Sequence, residues 1–308
     1  MYDQPMKNSK LMSLNDAIAR FIPDGSSIVL GTAQETLIPF AAGHEIIQQR
    51  KRDLTLIGPI SDILFDQIIG AGCVSKVRSA WVGNVITGSG YNFRRAVESG
   101  QLQVEDHSNL TLSMGLRAGA LGVPFLPTYS ARGSDLFKTN PNLTTVICPF
   151  TGQSLTAVAA INPDVAIIHV QRSDQYGNAH SWGNTGITRE ACLAAERVLI
   201  TCEEIVSPEV ISSDPNRVIT PGFRVCAVVQ SAWGAHPSPV PGYYNRDHQA
   251  FLDYRTDSQT PENFSNWLAH WVDNVQDPAD YLDLLGQKRL AQLAIKHHVI
   301  SAVADFGY

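Results

Sequence analysis

A cluster of ionisable and polar residues follows a short apolar segment in the first third of the chain. Residues 102–104 are predicted to form a strand, and the run Glu105-Asp106-His107-Ser108-Asn109 comes directly after it. A carboxylate at the edge of a sheet can act as a nucleophile or general base when burial raises its pKa. Asp106, Ser108 or Asn109 could instead cap the helix predicted over residues 112–120. Because capping uses one of these three, Glu105 is the freer group and the candidate catalytic residue.

A second polar cluster follows a longer apolar run. Residues 164–170 predict a buried strand of a mainly parallel sheet, and His169, Gln171 and Asp174 lead from it into a turn at Gly177-Asn178. Ligands usually bind at the carboxyl ends of strands in open α/β sheets. His169 and Gln171 are therefore candidate binding residues, while a hydrogen-bonded core histidine before an ordinary turn remains the alternative.

A third polar segment is the turn Gly31-Thr32-Ala33-Gln34. It follows a strand predicted over residues 27–30 and precedes a helix predicted over residues 37–49. Backbone N–H groups in such a strand–glycine–helix unit can hold an anion at the start of the helix. A solvated turn containing Gln34 and Glu35 is an equally good interpretation.

Several common catalytic motifs do not occur in the sequence. It contains no Gly-x-x-x-x-Gly-Lys-Ser/Thr loop, no Gly-x-Gly-x-x-Gly after a strand and no Gly-x-Ser-x-Gly elbow. His44-Glu45 has no second histidine at the spacing of a zinc protease. We therefore predict no metal site.

The composition is that of an ordinary soluble globular protein. Of 308 residues, 44% are apolar and 17% are charged, and the net charge of −6 argues against a nucleic-acid partner, whose recognition surfaces are basic. Five scattered cysteines with no Cys-x-x-Cys pair favour reduced thiols. We see neither an apolar secretory segment near the N-terminus nor an apolar run of about 18 residues. These features predict a cytoplasmic protein with no membrane partner.

Alternating strands and helices predict an α/β fold, with an open, mainly parallel sheet covered by helices on both faces. Its predicted elements include strands over residues 144–147 and 198–202 and a helix over residues 62–69. Ser13 is predicted to cap the first helix, and Gly286 to end the helix over 279–285. We expect a flexible N-terminal tail over residues 1–12, an α/β domain over 13–230 and a C-terminal extension over 231–308. The extension begins with a Pro/Gly-rich connection and continues with helices predicted over 263–273 and 279–285. We expect this helical extension to pack on the same domain.

Several segments, in order, resemble the alpha subunits of family I coenzyme A transferases, in particular those of the glutaconate type. The resemblance covers residues 12–286 and is carried by residues 92–98, 105–109, 117–127, 244–247 and the Trp267–Trp271 helix. It is also carried by the run His-x-Gln-x-x-Asp-x-x-Gly-Asn from His169 to Asn178. This resemblance implies the NagB/RpiA-like fold of the coenzyme A transferases, with a helical C-terminal extension.

The resemblance also implies an activity that moves coenzyme A from an acyl-CoA to a carboxylic acid. In the two-subunit members, a glutamate of the beta subunit, in a Glu-Asn-Gly context, forms the covalent intermediate. This chain has no Glu-Asn-Gly, and it has one glycine where the family's alpha subunits usually carry a Gly-rich loop after the first strand. The resemblance therefore implies a beta-type partner, in an α2β2 assembly, with coenzyme A as a substrate and no permanently bound cofactor.

Polar groups at the carboxyl edge of the sheet are expected to build one pocket with the partner. The substrate- and CoA-binding candidates are Gly31, Thr32, Ala33, Gln34, His107, Ser108, Asn109, Arg132, His169 and Gln171. Arg132 and Arg117 are the candidate cations for an acidic acyl group, although either could be a surface charge.

Three other functions remain open. A related branch of the family hydrolyses a ring carbon–carbon bond of a cyclic acyl-CoA in steroid degradation, and Glu105 would then be catalytic. The chain could also be a scaffold subunit without catalytic groups. A ligand-sensing module is less well supported, because no DNA-binding segment precedes Ser13.

Overall fold

The strands within residues 8–295, the part of the chain described by this computed structural model, form three sheets. The strands are β1 (Ser27–Val29), β2 (Leu54–Ile60), β3 (Val74–Trp81), β4 (Gly83–Asn84), β5 (Gly88–Ser89), β6 (Gln103–Asp106), β7 (Phe125–Thr128), β8 (Leu143–Ile147), β9 (Ser154–Ala159), β10 (Val165–Ser173), β11 (Ala179–His180), β12 (Arg197–Ile205), β13 (Val218–Thr220) and β14 (Val225–Gln230).

The α-helices of the same part of the chain are α1 (Leu14–Phe21), α2 (Phe40–Gln48), α3 (Asp62–Gly70), α4 (Tyr91–Glu98), α5 (Asn109–Leu121), α6 (Leu136–Thr139), α7 (Thr188–Ala194), α8 (Pro208–Ser212), α9 (His248–Asp257), α10 (Pro261–Leu268), α11 (Pro278–Leu285) and α12 (Gln287–Leu293). A π-helical turn at Ala269–Asp273 continues α10. None of the helices described is both long and apolar enough to cross a membrane.

The main sheet runs in the order β14-β12-β10-β1-β2-β3-β6, and every neighbouring pair in this series is parallel. β11 pairs antiparallel with the end of β10 and carries β13. The chain runs outward from β1 to β6 and then returns to β10 on the other side of β1. This arrangement confirms the predicted open, mainly parallel sheet and puts the change of direction between β1 and β10.

Helices cover both faces of this sheet. Successive side chains along a strand point to opposite faces, and in the central strands both sets are apolar. Ile28, Leu56 and Ile167 pack into the core beneath α1–α4, whereas Val29 and Ile57 pack into the core beneath α5 and α7. Residues that are paired directly across neighbouring parallel strands point to the same face of the sheet. The register therefore shows which helices face each residue at the carboxyl edge of the sheet, which we call the rim.

Several predicted elements begin or end at other residues in the structure. Ser13 caps α1 as predicted, and Ser108 proves to be the cap of α5. β6 continues to Asp106, so Glu105 lies inside the strand and not beyond its end. α2 starts at Phe40, after Pro39, three residues later than predicted.

A smaller antiparallel sheet of β7, β9 and β8 was not predicted. Residues 144–147 were expected as another strand of the parallel sheet, but β8 pairs antiparallel with β9. β9 was missed altogether. Pro149 and Gly152 before it form the turn of a hairpin with β8, a signal that the sequence analysis did not use.

Both ends of the described chain contact the α/β body. Residues 1–7 and 296–308 lie outside the described residues, but the backbone of Lys10 and Met12 hydrogen-bonds to Val228, so this part of the predicted tail is held by β14. Phe264 and Trp267 of α10 belong to the core beneath α1–α4. The division of the chain near residue 230 stays a prediction.

Candidate functional site

The turn after β1 closes tightly on the end of β2. Gly31 has a φ of +69°, and a Cβ atom at this position would lie 2.2 Å from Oγ of Ser61 and 2.9 Å from its Cα. Ser61 Oγ donates a hydrogen bond to the carbonyl of Leu30 at 3.0 Å. Only glycine fits this contact without a shift of backbone, which explains the single glycine after the first strand.

An arginine from the C-terminal part of the chain meets this edge of the sheet. Nη1 of Arg246 donates to Oε2 of Glu35 at 3.2 Å, and Nη2 donates to Oδ2 of Asp62 at 3.1 Å. The guanidinium carbon lies 3.9 Å from the ring centroid of Phe251. We call these residues, together with Asn84, the Arg246 cluster: Glu35, Asp62, Asn84, Arg246 and Phe251.

Asp62 is the buried carboxylate of this cluster. Its backbone has a φ of 52°, a strained conformation for a residue other than glycine. Oδ1 accepts a hydrogen bond from Nδ2 of Asn84 at 2.7 Å. Burial raises the pKa of Asp62 to about 6, although the charge of Arg246 and the Asn84 hydrogen bond lower it in part. A strained, buried carboxyl group beside an arginine is typical of a functional site.

The predicted anion-binding turn is held by hydrogen bonds from a neighbouring loop. Thr32 Oγ1 lies 2.8 Å from Thr188 Oγ1, and the Thr32 carbonyl accepts from the N–H of Ile187. Ala33 is buried against Val240 and Tyr244, whereas Gln34 is exposed at the rim.

The turn was expected to lead directly into the N-terminus of a helix, but the structure shows that it does not. The first N–H groups of α2, those of Phe40 and Ala41, donate to the carbonyls of Ile38 and Gly234. An anion at the turn would therefore meet loop backbone and not the start of α2.

His169 is buried in a hydrogen-bonded cluster on the face covered by α1–α4. Its Nδ1 lies 2.9 Å from Thr201 Oγ1 and its Nε2 lies 2.8 Å from Oε1 of Glu203. Glu203 also accepts from the hydroxyl of Tyr244 at 2.9 Å and from the N–H of Trp233 at 2.8 Å. We call these residues the Glu203 cluster, and they hold the loop after β14 against the strand ends.

Gln171 lies further along the same strand and is fully buried. Its amide donates to the carbonyls of Trp182 and Pro241 and accepts from the N–H of Trp182. Gln171 therefore joins the loops that follow β11 and β14. From within the sheet, His169 and Gln171 therefore hold in place the loops that form the rim.

Glu105 forms a separate ionic cluster at the edge strand β6. Its Oε1 accepts from Arg78 and from Asn142, its Oε2 lies 2.8 Å from Nζ of Lys76, and Nε2 of His107 is 3.0 Å from Oε1. Burial raises the pKa of Glu105, but His107, Lys76 and Arg78 together hold it well below its ordinary range. The condition for a reactive carboxylate, a pKa raised by burial, is therefore not met at Glu105 within this chain.

The other residues of this predicted run serve the local fold. The ring of His107 contacts Thr111 Oγ1 and Asn140 in addition to Glu105. Ser108 and Thr111 form a reciprocal capping box at the start of α5. Asn109 is the first residue of α5, and its carbonyl accepts from the hydroxyl of Ser113.

The two predicted cations lie apart from the sheet edge. Arg132 is exposed, donates to the carbonyls of Tyr129 and Ser154, and stacks over the Tyr129 ring. Arg117 is exposed on α5. Arg246, in contrast, lies at the carboxyl edge of the sheet, where it pairs with Glu35 and Asp62.

The predicted residues do not converge on one pocket within this chain. Glu105 pairs with Arg78 on the face of α5, whereas His169 lies on the face of α1–α4. Their strands are separated by four strand spacings, roughly 19 Å across the sheet. Gly31 and its turn lie nearer His169, so the expectation of a single site containing Glu105 is wrong for this chain.

Two cavities lie elsewhere, between the C-terminal helices and the body. Their volumes are about 370 and 350 Å³, and His44, His236, Trp271 and Tyr281 line both. Neither cavity is lined by any residue of the predicted site. Within residues 8–295, no group of His, Cys, Asp and Glu side chains is arranged to hold a metal ion.

The model of the family described as "Coenzyme A transferase" matches residues 11–231. The chain belongs to the coenzyme A transferase family. This agrees with the sequence resemblance and with the order of the strands.

Two relatives of this family match almost end to end. The chain is 38% identical to the A-type subunit of the 3-oxoadipate CoA-transferase of Pseudomonas knackmussii, over 89% of this chain and 97% of that protein. It is 34% identical to a chain of glutaconate coenzyme A-transferase from Acidaminococcus fermentans, whose crystal structure superposes with a TM-score of 0.88 over 93% of this chain and 96% of that chain. A more distant relative, the cholesterol ring-cleaving hydrolase IpdA subunit of Rhodococcus jostii, is 29% identical over 88% of this chain and 94% of that protein.

Asp62, Glu203 and Arg246 are the charged residues of the Arg246 and Glu203 clusters that sequence reasoning missed. Glu203 follows a predicted strand directly, so the strand-end signal used for His169 applied to it as well. Asp62 began a predicted helix and Arg246 stood in a quoted motif, but neither position indicates that the two side chains meet.

Proposed function

We propose that this chain is the A-type subunit of a two-subunit cytoplasmic CoA-transferase that moves coenzyme A from an acyl-CoA to a carboxylic acid. The thioester of the donor breaks, the donor acyl group leaves as a carboxylate, and the acceptor carboxylate becomes the new thioester. No net oxidation occurs, so the reaction requires no redox cofactor. A B-type subunit completes the site, in an α2β2 assembly.

The observation that carries this proposal is the Arg246 cluster at the carboxyl edge of β1 and β2. Both of its carboxylates are ion-paired to one arginine, and the nearby Glu203 is fully hydrogen-bonded. An ion-paired or hydrogen-bonded carboxylate is a poor nucleophile, because its charge is already neutralised. The cluster therefore suits substrate binding, and the glutamate that attacks the thioester belongs to the partner.

The predicted binding residues take two roles in this proposal. Gln34 faces the substrate from the turn beside Arg246, and the buried Gly31, Thr32 and Ala33 hold that turn in place. His169 and Gln171 hold the surrounding loops, and His107, Ser108, Asn109 and Arg132 shape the edge near β6, where the partner approaches. Coenzyme A is bound as a substrate across the two subunits.

A ring-opening hydrolase is the second candidate function. It is favoured by the likeness to a subunit of the ring-cleaving hydrolase and by the burial of Glu105 beside His107. The ion pairs to Lys76 and Arg78 count against it, because they neutralise the charge of Glu105 as Arg246 does for its two carboxylates. In that reaction Glu105 would be the catalytic group of this chain.

Reconstitution with a B-type subunit tests these alternatives. The complex is assayed for exchange of coenzyme A between acetyl-CoA and added acids, and separately for hydrolysis without an acceptor. Transfer that survives Glu105→Gln supports the transferase with its nucleophile on the partner. Hydrolysis that is lost in Glu105→Gln, in an intact complex, would support the hydrolase. A complex with neither activity would contradict the proposal.

A further inference from the structure

Arg246 holds two carboxylates of opposite character. The side chain of Asp62 is 1% exposed, whereas that of Glu35 is 42% exposed. Asp62 is also fixed by Asn84, but Glu35 reaches Arg246 by one hydrogen bond of 3.2 Å from the turn after β1. Asp62 is therefore a fixed partner of Arg246, whereas the side chain of Glu35 can leave Arg246 and turn towards solvent.

We propose that Arg246 is the receptor for a carboxylate that the substrate keeps throughout the reaction, and that Glu35 occupies this receptor until substrate displaces it. This inference rests on the proposed function and deepens it, since it assigns to Arg246 the recognition of the second carboxylate of a dicarboxylic acceptor and to Glu35 the role of its internal competitor. In the free enzyme, the carboxylate of Glu35 occupies the place of the far carboxylate of the acid, which is the one that does not form the thioester.

The exchange of Glu35 for an external carboxylate costs little. Ion pairs with an exposed partner contribute little stability, because both groups are well solvated when apart. Arg246 stays in place during the exchange, since Asp62 holds Nη2 and the Phe251 ring lies against the guanidinium plane. Nε of Arg246 is buried without a hydrogen-bond partner among the described residues, so the arginine still has an unused donor.

An arginine of this kind suits the far carboxylate and not the reacting one. The reacting carboxylate loses its charge when it becomes a thioester, so an ion pair with it would stabilise the free acid more than the transition state. The far carboxylate stays charged from binding to release. A charge-assisted hydrogen bond to it therefore lowers the energies of bound substrate and transition state together.

Matched acids test this inference on the complex with the B-type subunit. With acetyl-CoA as donor, kcat/KM is measured for succinate against butyrate and for glutarate against pentanoate. The ratio within each pair reports the far carboxylate and does not depend on how much of the enzyme is folded. In Arg246→Gln we expect the dicarboxylate-to-monocarboxylate ratio to fall by about tenfold to a hundredfold, as for loss of one charged hydrogen bond.

Removing the internal carboxylate should act in the opposite direction. In Glu35→Gln the ratio should rise by about threefold, because the acid no longer competes with a charged group for Arg246. Glu196→Gln is the matched control: Glu196 pairs with Arg197 at 2.8 Å at the amino-terminal end of β12, on the opposite edge of the sheet, and its loss should leave the ratio unchanged.

Arg246→Gln leaves Asp62 buried without its cation, so the double variant Arg246→Gln, Asp62→Asn is measured as well. It removes both charges together, and we expect the same fall in the ratio. An unchanged ratio in both Arg246 variants, or an equal loss for both acids of a pair, would overturn the inference while transfer itself persists. A wild-type complex that transfers coenzyme A to no acid would refute the proposed function, and the inference would fall with it.

Discussion

At the scale of single residues, Asp62 combines burial, a positive φ and a nearby second carboxylate. Burial and the carboxylate of Glu35 disfavour its ionised form, and Arg246 and Asn84 offset that cost in part, while the positive φ strains its backbone. The contacts could not be predicted from the sequence, because Arg246 lies 184 residues from Asp62 and 211 from Glu35 along the chain. Nothing in a local pattern indicates a pairing over such separations.

The raised pKa of Asp62 predicts a specific dependence of stability on pH. The group titrates at about 6 in the folded chain against 3.8 as its ordinary value, so the folded state binds more protons between these values. Stability from this group is therefore lost as the pH rises through that window. The free energy of unfolding of Asp62→Asn minus that of wild type should therefore be about 2 kcal/mol larger at pH 7 than at pH 4.

Urea unfolding of both proteins at several pH values measures this difference. Asp135→Asn is the control, because it removes one negative charge from a side chain that is 84% exposed. Its curve should run parallel to that of wild type. A constant difference between Asp62→Asn and wild type over the same range would mean that Asp62 is not perturbed by burial.

At the scale of elements, the sequence was informative wherever the signal is local. The apolar run 164–170 marked β10, Ser13 marked the start of α1, and Gly286 marked the end of α11. Predictions were wrong where pairing or packing decides the outcome. β8 looks like any short apolar strand, and only its antiparallel partner β9 shows that it belongs to a different sheet. His169 and Gln171 lie inside β10, which continues to Ser173, and their partners come from β12 and from loops far along the chain.

The close approach of the β1 and β2 ends predicts the result of one small substitution. Gly31→Ala adds a methyl group in the left-handed region and also against Ser61, so the free energy of unfolding should fall by about 3 kcal/mol. Gly25→Ala separates the two causes: Gly25 has a φ of +80° with no atom within 4 Å of its added Cβ. That variant should lose only about 1 kcal/mol, the cost of the backbone conformation.

Thermal and urea unfolding compare the two alanine variants with wild type. The larger loss in Gly31→Ala should be accompanied by weaker CoA transfer, since the turn beside Arg246 must shift. Equal losses in the two variants would show that Ser61 simply rotates away and that the contact does not restrict the turn.

At the scale of the whole molecule, the sheet separates the Glu105 and Glu203 clusters. They project from opposite faces and are five strand spacings apart, roughly 24 Å. Glu105→Gln and Glu203→Gln should each destabilise the chain at pH 7, because each leaves buried partners without a carboxylate. The pKa of Glu105 is lowered, so its share of the stability should be complete above its ordinary value of 4.5, decline as the pH falls below that value, and be lost only below the lowered pKa.

The two losses should add in the double variant, within about 0.5 kcal/mol, because the clusters share no partner. Urea unfolding of the wild type, both single variants and the double variant completes the cycle. A coupling energy well above that limit would mean that the two faces communicate through the sheet.

Independence of the two faces has a consequence for how such a chain can diverge. Substitutions around Arg246 and the turn after β1 can alter which acid is accepted, while the salt bridges at the opposite face continue to hold the edge strand and the small sheet in place. Such a lineage can therefore alter the acid it accepts without disturbing the salt bridges of Glu105, and it can alter its contacts near β6 without disturbing Arg246.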